Sequence, residues 1–169
     1  MTEIIAIEKE NPAQYAQLEA LMYAYVAETD RHRNAETPKQ LIPRITRSMI
    51  DKLDESRFLR MALDDGEAIG FCYAKIDKEG DRGLIRPGWG YMMEFFVHPA
   101  HRRKGIGRRL TDACESFFAG HGVHHVWLTA DAVTGVPFWL SCGYSDSGED
   151  SPENGQRIFE KRLNKTICE

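Results

Sequence analysis

The chain has 169 residues, of which 42% are hydrophobic and 28% charged, with a formal net charge of −4. That size and balance suit a single domain, residues 1–169, with a sizeable core. The negative charge argues against a general nucleic-acid binder, and no apolar run approaches the ~20 residues that span a bilayer.

Ile4–Ile7 reads as a first strand. Asn11-Pro12 reads as a helix cap followed by proline at the first helical position. Tyr15, Leu18, Met22 and Tyr25 or Val26 recur at helical spacing to about Glu28, and the polar run Arg31–Glu36 predicts a loop. Thr37-Pro38-Lys39-Gln40 resembles a capping box, but Pro43 then predicts a break near Ile42, with a helix resuming through Ile45, Met49 and Leu53. Residues 58–63 and 68–76 read as a hairpin across Asp64-Asp65-Gly66-Glu67. A polar loop over 78–83 precedes a long strand, Trp89–Val97. Residues 105–119 form a helix with Ile106, Leu110, Ala113 or Cys114, and Phe117 on its core face. His125–Thr129 is a strand, Val136–Ser141 a short helix, and 144–147 and 157–163 are closing strands, with an exposed acidic connector across 145–156. The order βααβββαβαββ implies an α/β or α+β sheet covered by helices.

The N-terminus, Met1–Glu8, lacks the basic start and long apolar core of a signal peptide. The four cysteines, Cys72, Cys114, Cys142 and Cys168, form no Cys-x-x-Cys pair and are expected to be reduced thiols in a cytoplasmic protein. Histidines at 98, 101, 121, 124 and 125 lack zinc-site spacing, so no metal is expected.

The most informative residues are Arg102-Arg103-Lys104-Gly105-Ile106-Gly107. They join an apolar strand to an amphipathic helix through a glycine turn. Such a turn makes an anion site, because the first helical N–H groups lack intrahelical partners and carry partial positive charge. Glycine lets a phosphate approach the main chain, and three cations add full charge. The run fits the Arg/Gln-x-x-Gly-x-Gly/Ala signature. Downstream, Phe138-Trp139-Leu140-Ser141-Cys142-Gly143-Tyr144 is similar to a second landmark, Phe/Leu-Tyr-x-x-x-Gly-Phe. On these two motifs the chain resembles the GNAT superfamily of acyl-CoA-dependent N-acyltransferases, specifically over residues 90–145.

The resemblance implies the GNAT fold: a mixed central sheet with splayed fourth and fifth strands, flanked by about four helices. It implies that the backbone of Arg103, Lys104, Gly105, Ile106, Gly107 and Arg108 binds the pyrophosphate of acetyl-CoA, the co-substrate. Arg102 would order the loop or pair with a phosphate, and the backbone of Phe96 and Val97 would meet the pantetheine arm. One N–H there would stabilise the oxyanion. An amine nucleophile must first lose a proton. Glu94, the one carboxylate in the 91–97 strand, is the candidate base, with Tyr91 and His98 behind it. Strand alternation puts Glu94 and Phe96 on one side and Met93, Phe95 and Val97 on the other. Apolar neighbours would raise the pKa of Glu94. The family's tyrosine, which protonates the leaving thiolate, is replaced here by Trp139, which can pack on pantetheine but cannot act as an acid.

The leading expectation is acetyl transfer from acetyl-CoA to the primary amine of a small molecule. The alternatives are a non-catalytic acyl-CoA sensor or subunit, which Trp139 motivates, and a protein or peptide N-acetyltransferase. A nucleic-acid module built on residues 102–109 is disfavoured by the net charge. Neither a nucleic acid nor a membrane is an expected partner, and the resemblance admits a homodimer.

Overall fold

The computed structural model describes residues 1–164. Seven strands, β1 (Thr2–Ala6), β2 (Arg57–Asp64), β3 (Glu67–Ile76), β4 (Gly90–Val97), β5 (His125–Ala130), β6 (Ser145–Asp150) and β7 (Arg157–Arg162), form one mixed sheet. Their order across the sheet is β1-β2-β3-β4-β5-β7-β6. Four helices, α1 (Pro12–Arg33), α2 (Leu41–Asp51), α3 (Ile106–Gly120) and α4 (Gly135–Ser141), complete the predicted order. Strands β4 and β5 are parallel neighbours. They share two residue pairs, Gly90↔Val126 and Tyr91↔Trp127, while β4 itself runs on to Val97. By its contacts the chain divides into two compact units, neither a continuous segment: 1–73 with 94–110, and 74–93 with 111–169.

In the first unit, α1 starts where the sequence places it. The Asn11 side chain accepts from Gln14 N–H at 3.2 Å, and Pro12 occupies the first turn. The helix runs well past the expected end near Glu28, so Arg31-His32-Arg33 form its last turn, not a loop. Cations there face the negative end of the helix dipole. The stop is Asn34, at φ 50 and ψ 48, whose N–H bonds back to Asp30. No capping box forms at Thr37. Its N–H and hydroxyl instead bind the Asp30 carboxylate at 2.7 and 2.8 Å, and α2 begins only at Leu41. Pro43 therefore sits in the first turn of α2, where its missing N–H has no intrahelical acceptor to lose, and the expected break is absent.

Leu18, Leu21 and Met22 of α1 and Ile42, Met49 and Ile50 of α2 are buried, together with Phe58, Leu59, Met61 and Ala62 of β2 and Ile69 and Phe71 of β3. Strands β1 and β2 are antiparallel, Thr2↔Asp64 through Ala6↔Arg60. The β2–β3 turn has two central residues, Asp65 and Gly66, both at positive φ (47 and 84), as a type I′ hairpin requires.

In the second unit, β5 pairs antiparallel with β7 from His125↔Arg162 to Ala130↔Arg157, and β7 pairs with β6 across an irregularity between Asp146 and Asp150. The first half of the acidic stretch expected as a connector, Ser145–Asp150, is thus strand β6. Trp127, 1% exposed, stacks on Tyr91 at 3.9 Å between ring centroids, and its indole N–H donates to Asp77 Oδ2 at 2.7 Å. Helix α3 packs so closely on β4 that a β-carbon at Gly90 would stand 2.7 Å from the Phe118 ring. Phe118, not Phe117, completes the buried row Ile106, Leu110, Cys114, Phe118, because that row repeats every four residues. Pro137 sits in the first turn of α4, as Pro43 does in α2.

Cys72, Cys114 and Cys142 are buried and form no disulfide among the described residues; Cys168 lies outside the described residues. Among the described residues no helix is long and apolar enough to cross a membrane, and no group of three or more His, Cys, Asp or Glu is arranged to hold a metal.

Candidate active site

The first unit brings together Glu94, Phe96, Val97 and residues 102–108 with the C-terminal half of α1. After β4 the chain makes a 3-10 turn, Pro99–His101. His98 caps it, its Nδ1 accepting from Ala100 N–H at 3.3 Å, a local structural task for that side chain. Arg103 (φ 65) and Gly105 (φ 81) then turn the main chain through the left-handed region. The first i→i−4 bond of α3 runs from Arg109 N–H to the Gly105 carbonyl at 3.1 Å. Residues 105–108 are therefore the N-terminal turn, where the helix concentrates its partial positive charge. Arg103, Lys104, Gly105 and Arg108 are exposed, and a β-carbon at Gly105 would meet no atom within 4 Å. Main chain is thus open to an incoming anion at this turn, which is the property a pyrophosphate needs.

Arg102 is different from its two basic neighbours. Its guanidinium Nη2 donates to both carboxylate oxygens of Glu28 of α1, at 2.8 and 2.7 Å, and its Nε donates to the Val97 carbonyl at 2.8 Å. The group also lies over the Phe96 ring, 5.7 Å from its centroid. These contacts tie the start of the loop to β4 and to α1.

Phe96 and Val97 separate as well. His98 N–H bonds the Ile69 carbonyl of β3 at 2.8 Å, and a β-carbon on Gly70 would stand 2.7 Å from the Phe96 carbonyl. Main-chain groups alternate edges along a strand, so those of Phe96 face β3 and those of Val97 face the opposite edge. The Phe96 side chain is a buried ring, 3% exposed, packed on Tyr25. The Val97 carbonyl on that edge accepts from Arg102 Nε.

Glu94 is half-buried. Its carboxylate accepts one hydrogen bond, from the Tyr25 hydroxyl at 2.5 Å, and no other described residue donates to it. Burial pushes its pKa above the ordinary carboxyl value; the Tyr25 bond and the positive field of Arg33 pull partly back. Tyr25 is held in turn by aromatic contacts to Phe71 and Phe96, at 5.8 and 5.7 Å. Sequence reasoning assigned Tyr25 to the core and gave Glu28 no role. The available signal was Glu28 itself, a carboxylate continuing the stripe Leu18, Leu21, Tyr25, which calls for a cationic partner.

In the second unit, Tyr91, a reserve candidate for the base, is stacked on Trp127. Trp139 is 5% exposed, packed against Phe138 and Tyr144. Its place in the chain has a structural cause. Gly143 N–H bonds the Leu140 carbonyl and Tyr144 N–H the Trp139 carbonyl, with Gly143 at φ 88. This is a Schellman helix stop, in which the residue after the glycine packs on the residue five before it. The Trp139–Tyr144 contact, 5.3 Å between centroids, is that packing. An open pocket lined by Arg86, Pro87, Trp89, Ser147, Glu149 and Glu160 lies elsewhere in this unit, and Arg86 pairs with both of its carboxylates.

Residues 18–144 match the model of the acetyltransferase (GNAT) family, and the chain belongs to that family of acetyl-CoA-dependent N-acetyltransferases. No curated protein matches it by sequence. Among solved structures it is similar to PaiA N-acetyltransferase of Thermoplasma acidophilum, crystallised with coenzyme A. The identity is 18% and the TM-score 0.70, covering 96% of this chain and 99% of that one. An aminoglycoside 6′-acetyltransferase type Ii aligns at 18% identity and TM-score 0.71, over 95% and 96% of the two chains. A GNAT acetyltransferase of Staphylococcus aureus Mu50 aligns at 14% and 0.73, over 97% and 100%. These likenesses establish the shared fold.

Proposed function

We propose that the chain transfers the acetyl group of acetyl-CoA to a primary amine of a small molecule, with Glu94 as general base. The observation that carries this reading is Glu94: a carboxylate of raised pKa on the strand that leads into the glycine turn. An alkylammonium, with a pKa near ~10, is almost fully protonated at neutral pH. Glu94 takes its proton, directly or through water. The freed nitrogen lone pair then forms the C–N bond to the thioester carbonyl while the C–S bond breaks. The second nitrogen proton ends on the departing sulfur, and Glu94 returns its own to solvent. Val97 N–H is the donor we assign to the carbonyl oxygen as its charge develops. The main chain of residues 103–108 holds the pyrophosphate, with Arg102 keeping the loop in shape. We assign no residue as acid: a thiol leaves without one, and Trp139, buried on the α4 helix stop, supplies packing. The preference for a small acceptor is supported by two structural neighbours that are by name aminoglycoside 6′-acetyltransferases.

Thiol release from acetyl-CoA across a panel of amines tests the proposal. Glu94→Gln is expected to lower kcat by ~10²–10⁴-fold, the usual span for a general base, with acetyl-CoA affinity retained. Tight cofactor binding with no turnover on any amine would support a sensor instead.

A further inference from the structure

Helix α1 touches the candidate site twice on one face. Tyr25 and Glu28 are three residues apart and hence neighbours on the helix surface. Glu28 grips Arg102 of the glycine turn, and Tyr25 donates to Glu94 Oε2. We propose that Tyr25 is a positioning residue for Glu94: its hydroxyl fixes one carboxylate oxygen and leaves the other, Oε1, to accept the proton of the amine. This rests on the assignment of Glu94 as base.

Three observations carry it. The bond is the one hydrogen bond to the Glu94 carboxylate among the described residues. The ring that bears the hydroxyl is clamped edge-on by Phe71 of β3 and tilted against Phe96 of β4, so the hydroxyl has a fixed place at the carboxylate. A phenol donates to a carboxylate more strongly when the carboxylate is ionised, which favours the proton-accepting form against the burial that opposes it. The charged and titratable groups bearing on Glu94 are Tyr25 and Arg33, both from α1; β3 and β4 bring Phe71 and Phe96. The Glu28–Arg102 pair neutralises itself one turn along α1.

Tyr25→Phe removes the hydroxyl and keeps the ring, so the packing on Phe71 and Phe96 survives. The experiment follows the Glu94 carboxyl carbon by NMR during a pH titration of the full chain, alongside the pH dependence of kcat for wild type, Tyr25→Phe and Glu94→Gln. In Tyr25→Phe the Glu94 midpoint is expected to rise by about 1 pH unit, the equivalent of one hydrogen bond to a charged group. The acid limb of kcat should move with it, with KM for acetyl-CoA unchanged. A purely structural tyrosine would lower the melting temperature and leave both midpoints in place, and that result overturns the inference. A Glu94 midpoint that rises in Tyr25→Phe while Glu94→Gln turns over like wild type supports the hydrogen bond and overturns the base assignment. The two ideas therefore fail separately.

Discussion

Gly105→Val separates the cost to the fold from the cost to the ligand. The backbone at Gly105 lies at φ 81, and a side chain there meets no protein atom within 4 Å. The substitution therefore burdens the fold only with the left-handed penalty, about 1–2 kcal/mol for a residue with a β-carbon. At roughly 2–4 °C per kcal/mol for a chain of this size, the melting temperature should fall by about 2–8 °C. The ligand loses more, because a branched side chain stands where a phosphate must meet the main chain. Two charge-assisted hydrogen bonds at roughly 1.5–3 kcal/mol each amount to about 3–6 kcal/mol, or ~10²–10⁴-fold in Kd. Gly122→Val is the control. That residue has φ 72, equally open space, and an exposed position after α3. Calorimetric titration with acetyl-CoA should find both variants similarly destabilised and only Gly105→Val impaired in binding. An unchanged Kd for Gly105→Val refutes the assignment of the turn as the phosphate cradle.

Arg102→Ala should destabilise the chain by about 1–3 kcal/mol in a urea titration, a partly buried charged pair being discounted for the 30% exposure of the arginine side chain. Arg102→Lys should recover little, since one ammonium that takes the place of Nη2 at Glu28 leaves no second nitrogen for the Val97 carbonyl that Nε serves. Glu94→Gln should gain stability where it loses activity. The raised folded pKa means that folding favours protonated Glu94. Stability from that form is complete below the unfolded value and is lost as pH rises through the folded one. The variant should melt above wild type at pH 8, with the gain vanishing near pH 4; the same difference at both pH values refutes the sign.

Element order was legible because hydrophobic period, caps and turn residues act over a few positions. Asn11-Pro12 and Asp65-Gly66 each determine their local geometry. The errors arose where a local rule depended on an unknown boundary. Pro43 breaks a helix begun at Thr37 but is harmless in one begun at Leu41, and that start depends on Asp30 claiming Thr37. Arg31-His32-Arg33 look like a loop by polarity and end a helix by charge. Of the candidate site, the glycine turn is a local motif and Glu94 the one carboxylate of its strand, so both could be proposed from the sequence. The partners Tyr25 and Glu28 were not, since 69 and 74 residues separate them from Glu94 and Arg102 and only the fold closes those distances. The landmark at Trp139 was readable as a family motif, but its geometry is that of a helix stop, formed by any large apolar pair around the glycine.

The loop spells three successive cations, yet Arg102 is neutralised internally by Glu28. An approaching polyanion therefore senses the exposed charges of Arg103 and Lys104, whose reach in physiological salt is about 8 Å. Uncharged main-chain donors would do the holding once contact is made. In the proposed role, capture and retention of the donor would fall to different atoms: ionic strength should slow the encounter while leaving the lifetime of the bound state almost untouched.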